Sequence, residues 1–415
     1  MKKIIFFSFF ILIVCGLSAQ ESRLVVWSHT VEFINVLDNY YKHTYPNVHI
    51  SYRHLQIELF ENRLDTAFAS GRDVPDVFTI ETAFIRKYVE SGMLLDLTDL
   101  YNADRSRLLS YPAETATYNG RVYAMAWQAA PGAMFYRRSL ARKYLGTDDP
   151  DRVQSFFSDF NALMETAREI RDLSNRTCVI VSSIDDLLYP FLGARTQPWV
   201  INNRLVIDPV MEQYMDAMKE LTDQNMEARV SQWSEEWFAG IRGEFRNNKN
   251  QHIDVFAYFL PPWGLQYVLK TNAFETSGDW AMIPGPSLWH WGGTWIGAWR
   301  DTPKANAARE MIRFFSTDDN FLELYAGSTG EIVNSITAMN RIKNNFSEPF
   351  LAGQNHYAMF ANIAEGINGR LTQNTDIIIQ ALFRDIVKSY TEGKITKEKS
   401  LLEFRDMVAS HLGIN

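Results

Sequence analysis

Between Leu24 and Gly92, short apolar runs alternate with segments of helical period, and this alternation constrains the fold more than any other feature of the chain. Leu24-Val-Val-Trp27 reads as a strand. Glu32 to Tyr45 then sets Phe33, Val36, Leu37, Tyr40 and Tyr41 on one helical face, and Pro46 stops that helix. Val48-His-Ile-Ser-Tyr52 alternates as a second strand. Ile57 to Ser70 carries Ile57, Phe60, Leu64, Ala67 and Phe68 on another helical stripe, ended by Gly71. Asp76-Val-Phe-Thr-Ile80 is a third strand, followed by a helix that stops at Gly92. Parallel neighbours need a connection long enough to hold a helix, so this succession predicts an α/β domain with a largely parallel sheet. Ligands on such sheets bind just beyond the carboxyl ends of the strands. That rule points to Ser28–Glu32 and to Glu81-Thr82.

The middle of the chain repeats the pattern. Phe156 to Arg171 and Pro209 to Gln224 read as helices, Val179 to Val181 and Ile253 to Phe259 as strands. The last third is helical over Pro303–Ser316, Thr375–Tyr390 and Lys397–His411, with Thr396 placed to cap the last of these. A chain of 415 residues exceeds what one compact core organises, so two domains are expected. No long Gly/Ser linker joins them, which leaves short strand-like crossings. Cys178 lies in Thr177-Cys-Val-Ile-Val181, the pattern of a small residue in a buried strand.

The N-terminus is a separate device. Lys2 and Lys3 precede the apolar stretch Ile4–Val14 and then Cys15-Gly16-Leu17-Ser18-Ala19-Gln20, the order of a secretory signal peptide over residues 1–19. The stretch falls short of the ~20 apolar residues that span a bilayer. Cleavage after Ala19 releases a soluble chain; alternatively Leu12-Ile-Val-Cys-Gly16 resembles a lipoprotein signal, with Cys15 as the acylated residue. The expectation is an exported protein, periplasmic or held to a membrane through Cys15. Lys plus Arg number 41 against 49 Asp plus Glu, a net charge of −8, which excludes a nucleic-acid binder that relies on overall positive charge.

Motifs for nucleophilic hydrolysis, phosphate cradling, dinucleotide binding and H-E-x-x-H zinc binding are absent from the sequence, and no spacing of Cys or His suggests a metal. No cofactor is expected. Asp185-Asp186 and Glu235-Glu236 read as solvated faces. The positive signal is tryptophan. Trp263 follows Pro261-Pro262, and Trp280, Trp289, Trp291, Trp295 and Trp299 crowd a stretch rich in Gly and Pro. Backbone of that composition lies at the surface, and aromatic faces stacked on sugar rings beside carboxylates and amides are a recurring solution for carbohydrate.

At these residues the chain resembles the extracellular solute-binding proteins of carbohydrate ABC transporters, the group containing maltose-binding protein. Leu24–Trp27, Tyr45-Pro46, Ala69-Ser-Gly71, Pro75-Asp-Val77, Ser91–Thr98, Tyr118–Tyr123, Met134-Phe-Tyr136, Ile283–Pro286, Gly292-Gly293, Lys304–Phe314 and Gly393–Thr396 fall in the family's order. The resemblance implies a two-lobed α/β fold of the type II periplasmic-binding kind, each lobe a mostly parallel sheet flanked by helices, with ligand in the cleft between them. It implies an N-terminal lobe of residues 20–132 and 284–335 and a C-terminal lobe of 133–283 and 336–415. Carried over by position, Glu32, Glu81, Trp127 and Gln128 line the first lobe, Tyr189 and Trp263 stack from the second, and Trp295 lies near the hinge. The implied protein is a monomeric receptor, without catalytic residues, that hands a mono- or oligosaccharide to ABC permease subunits.

The chain departs from the family pattern at Arg137, at Ala126-Trp127 and at Glu365-Gly-Ile-Asn368, which bears on the ligand more than on the fold. Two alternatives stay open on the residues themselves. One keeps the fold and changes the ligand to a polyamine, metal chelate or peptide, since aromatics also cage cations. The other is a glycoside hydrolase with Glu32 and Glu81 as its carboxylate pair.

Overall fold

The computed structural model describes residues 23–414, so the signal segment and Cys15 lie outside the described residues. The strands that carry the architecture are, in chain order, β1 (Leu24–Ser28), β2 (Ile50–His54), β3 (Val77–Glu81), β4 (Met125–Ala129), β5 (Ala133–Arg137), β6 (Cys178–Val179), β7 (Asp254–Val255), β8 (Ala257–Leu260), β9 (Trp280–Ile283), β10 (Thr294–Ala298) and β11 (Ile332–Val333). Six of them form one sheet in the order β11-β4-β10-β3-β1-β2. Within it β1 pairs in parallel with β2 and β3. This is the α/β unit read from the sequence.

The connections set the direction of the remaining strands. β4 leaves the first sheet and continues into β5 of the second; β9 leaves the second and returns as β10. A strand that returns must run opposite to the one that left. Accordingly β10 is antiparallel to β3 and β4, and β9 antiparallel to β5. The second sheet, β8-β5-β9, is antiparallel throughout, while β6 pairs in parallel with β7 and Val181 bridges Glu227 in parallel beside it. The two crossings form a ribbon of their own. Pro131 bridges His290 antiparallel. Gly132 N–H donates to Trp289 O at 2.8 Å and Trp291 N–H to Ala130 O at 3.0 Å.

Local structure follows local sequence closely where the signal is strong. The helix Ile57–Ser70 has the predicted bounds, with Gly71 at φ +63° closing it. Thr396 caps Lys397–Leu412 by accepting the Lys399 N–H. The helix expected over 32–45 is instead three pieces, Val31–Val36, a wide π turn over Leu37–Tyr41, and Lys42–Thr44. The wide turn seats Tyr41 in the core, stacked on Tyr45 at 4.7 Å and edge-on to Phe314. The second strand lies two residues later than expected, because it is an exposed edge strand whose alternation is weak.

Cys178 is fully buried, as its strand pattern requires. Glu235 and Glu236 are exposed. Asp186 is not on a solvated face: it is 4% exposed, because its neighbour Ser183 starts a capped turn that points it inward. The tryptophan-rich stretch also departs from its expected surface location. Trp280, Trp289 and Trp295 are at most 1% exposed, since each packs into a hydrophobic core cluster where the stretch runs through the interior as strand and crossing segment. No helix among the described residues is long and apolar enough to cross a membrane.

Candidate functional site

The carboxyl ends of the first sheet form one wall of a cleft. Glu81 closes β3 and stands opposite Thr294 in the register, while Thr294 stands opposite Gln128 on β4. Thr294 Oγ1 donates to Gln128 Oε1 at 2.7 Å. Gln128 Nε2 donates to Glu32 Oε2 at 3.1 Å, and Tyr325 OH donates to Glu32 Oε1 at 2.7 Å. Glu81, Thr294, Gln128 and Glu32 therefore line up along the strand ends. Glu81 also caps the helix α1 (Thr82–Glu90), accepting the Ala83 N–H at 2.6 Å. Burial raises its carboxyl above the ordinary range, and the backbone donors of Ala83 and Thr82 pull it partway back.

The facing wall is aromatic. Tyr189 lies on the short helix α2 (Leu188–Gly193) and stacks on Trp291 with centroids 4.6 Å apart and planes at 16°. Burial and the Glu81 charge push its hydroxyl up to about 12. Trp263 meets Trp291 edge-on at 5.0 Å, and its Nε1–H donates to Trp291 O at 3.0 Å. Gly292 and Gly293 hold φ +91° and +109°, which only glycine adopts without strain, and a Cβ at Gly292 would sit 2.9 Å from Trp263 Nε1. The pair lets the crossing segment turn under the wall.

Trp233 completes the corner, stacked near Trp263 at 5.9 Å and 23°. It is 48% exposed and holds φ +70°, an outlier for so bulky a residue. Its loop is tied down by Asp186. That carboxylate accepts Gln232 Nε2 at 2.7 Å, Trp237 Nε1 at 3.3 Å and the Ser183 N–H at 3.0 Å. Burial nonetheless raises it to about 7, against the pull of those donors.

Between the walls lies a pocket of about 220 Å³, lined by Glu81 and Thr82 from the first and by Tyr189, Trp291, Arg195 and Asp376 from the second. Of the residues expected to line the site, Glu81 and Tyr189 border this pocket, while Glu32 and Gln128 lie outside its lining, joined to Thr294 by hydrogen bonds, and Trp263 lies outside it against Trp291. Trp127 and Trp295 do not reach the cleft. Trp127 is fully buried, edge-on to Phe33 and tilted against Tyr325 at 4.8 Å, so it supports the Tyr325 ring from behind. Trp295 packs under Gly293 and donates Nε1–H to Pro112 O at 2.8 Å.

Several residues escaped the sequence reading. Trp233 had a usable signal, a lone Trp in the polar run Ser231-Gln-Trp-Ser-Glu-Glu236. Trp291 stood in the tryptophan run with nothing to separate it from its buried neighbours. Arg195, Thr294, Tyr325 and Asp376 carry no local signal. Among the described residues no group of three or more His, Cys, Asp or Glu could hold a metal ion.

A family model described as bacterial extracellular solute-binding protein matches residues 38–345. The chain is similar to a solved family 1 extracellular solute-binding protein, with a TM-score of 0.81 at 19% identity over 93% of this chain and 99% of that one. It is similar to the sugar-binding protein MalE from Xanthomonas citri, with a TM-score of 0.73 at 14% identity over 94% of this chain and 97% of that one. It is also similar to the galacto-N-biose-/lacto-N-biose I-binding protein of a Bifidobacterium longum ABC transporter, with a TM-score of 0.72 at 15% identity over 95% and 98% of the two chains. At these identities the likeness carries the two-lobed fold.

Proposed function

The chain belongs to the bacterial extracellular solute-binding proteins, and from that premise we propose that it captures a mono- or oligosaccharide outside the cytoplasm and delivers it to an ABC permease. The observation that carries this reading is the Tyr189–Trp291 stack facing Glu81 across the pocket. A flat aromatic face takes the apolar face of a sugar ring, and a carboxylate opposite accepts its hydroxyl protons. Proteins of similar fold bind β-1,6-galactobiose, lacto-N-biose and other sugars, which supports the same class here.

The family is one of binding proteins, and the receptor works without catalysis. Glu32 is already held by Gln128 and Tyr325, and serves as a fixed acceptor. We assign residues 20–132 and 284–335 to one lobe, and 133–283 and 336–415 to the other; the strand content of the two sheets supports that division. Ligand touches both walls only when the lobes approach, so it stabilises the closed form. The mature protein is free in the periplasm after cleavage at Ala19 or anchored through Cys15.

Titrating purified protein with a panel of mono- and oligosaccharides, read by tryptophan fluorescence and melting temperature, tests the function. At least one sugar is expected to raise the melting temperature and shift the emission, and Tyr189→Ala to abolish both. No response across the panel, with a response to a polyamine or peptide instead, would overturn the sugar assignment.

A further inference from the structure

Two charged side chains in the pocket are buried and incompletely satisfied. Arg195 follows the helix that carries Tyr189 and is 7% exposed; Asp376 begins the helix Asp376–Thr391 and is 8% exposed. Arg195 Nε–H donates to Leu192 O at 3.1 Å, and its guanidinium lies over the Trp199 ring at 5.1 Å. Its Nη2 stands 3.8 Å from Asp376 Oδ2, close enough to pair but too far to share a hydrogen bond. Arg195 Nη1 and Asp376 Oδ1 are left buried without any hydrogen-bond partner. Both residues line the pocket with Glu81 and Tyr189.

Buried polar atoms are nearly always bonded, and each one left unmade costs desolvation that nothing returns. An orphan donor beside an orphan acceptor thus specifies a ligand. The group they complete must accept one hydrogen bond and donate another from adjacent atoms, which is what two neighbouring hydroxyls of a sugar ring do. The pair is also internally neutral. An anionic ligand would meet the Asp376 and Glu81 carboxylates, which outnumber the one guanidinium of Arg195. The single-ring scale of the pocket agrees with one hexose unit seated on the aromatic stack.

We infer that Arg195 and Asp376 form a specificity-determining subsite that reads a pair of adjacent hydroxyls on one neutral sugar ring. The inference rests on the sugar-binding reading above. It implies discrimination against hexuronic acids of the same ring shape.

Calorimetric titration of the purified protein tests it, using D-glucose, D-galactose and their disaccharides, the singly deoxygenated hexoses and the corresponding uronic acids. A neutral sugar is expected to bind, with losses of about tenfold or more for deoxygenation at two adjacent positions, since a site built to bond a hydroxyl rejects an analogue that lacks it. The uronic acid is expected to bind more weakly than the neutral sugar. Asp376→Ala, which removes the acceptor, should erase the penalty at one of the two positions, and Arg195→Met, which removes the donor, the penalty at the other. A deoxygenation pattern without two adjacent sensitive positions, or a uronic acid that binds tighter than its neutral parent, overturns the inference even if neither variant folds. Penalties unchanged in both variants overturn it while leaving the sugar reading intact. A protein that binds no member of the panel defeats both.

Discussion

Trp233 is held in a left-handed backbone conformation that costs a bulky residue roughly 1–3 kcal/mol, and its ring is half exposed beside Trp263 and Trp291. Stored strain with little burial in return marks a side chain kept for contact with something else. Replacing Trp233 with Gly is therefore expected to leave the melting temperature unchanged or higher, while sugar affinity falls about tenfold. If the two fall together, the ring is core packing and not part of the binding wall. The buried titratable groups make a second, separable prediction. Burial holds Glu331 at about 8 and Asp186 at about 7, with the Glu32 charge adding to the shift at Glu331. In the unfolded chain both ionise several units lower, so the native state binds more protons there and stability is lost as pH rises through their folded values. His290 and His356, held neutral to about 4 by burial, act in the opposite sense and lower stability as pH falls below about 6.5. The melting temperature is thus expected to decline from pH 6.5 to 8, and Glu331→Gln to remove much of that decline. An equal slope in wild type and variant would refute the assignment.

At the scale of elements the ribbon formed by the two crossings is the critical piece. Gly132 lies against the Trp289 indole so closely that a Cβ there would sit 2.3 Å from it, and Trp289 is itself in the core. Gly132→Ala must therefore push Trp289 away or bend the crossing. The expected cost is on the order of 1–3 kcal/mol, read as a lower melting temperature, with weaker binding because Trp291 is two residues along the same segment. A variant as stable and as tight as wild type would show that the ribbon repacks freely. Elements were legible in proportion to how local their signals are. Ile57–Ser70 has an apolar stripe and a glycine stop within its own sequence, and its bounds were readable to the residue. The wide turn at Leu37–Tyr41 exists because Tyr41 packs on Phe314, a residue far along the chain, so nothing near position 40 announces it. The tryptophans show the same limit. Gly and Pro around Trp289, Trp291 and Trp295 mark a segment that bends, but which rings border the pocket is decided by distant packing: Trp289 and Trp291 line it, whereas Trp295 is drawn away to Pro112.

For the whole molecule, the two-lobed plan and the strand-end location of Glu32, Glu81 and Gln128 follow from alternation and connection rules that hold over long stretches of sequence. The Arg195–Asp376 pair does not, because its partners meet only when the helices that carry them dock. The sheet order has a consequence beyond ligand binding. β10, which lies between β3 and β4, comes from residues 294–298, and β11 beyond β4 from residues 332–333. Until the last third of the chain is available, the first sheet has a gap at its centre and β3 has no partner on that side. Such long-range pairing is slow to form. The centre of the first sheet is thus closed by one of the last-made strands, and a chain cut short before residue 294 is expected to lack a native first lobe altogether.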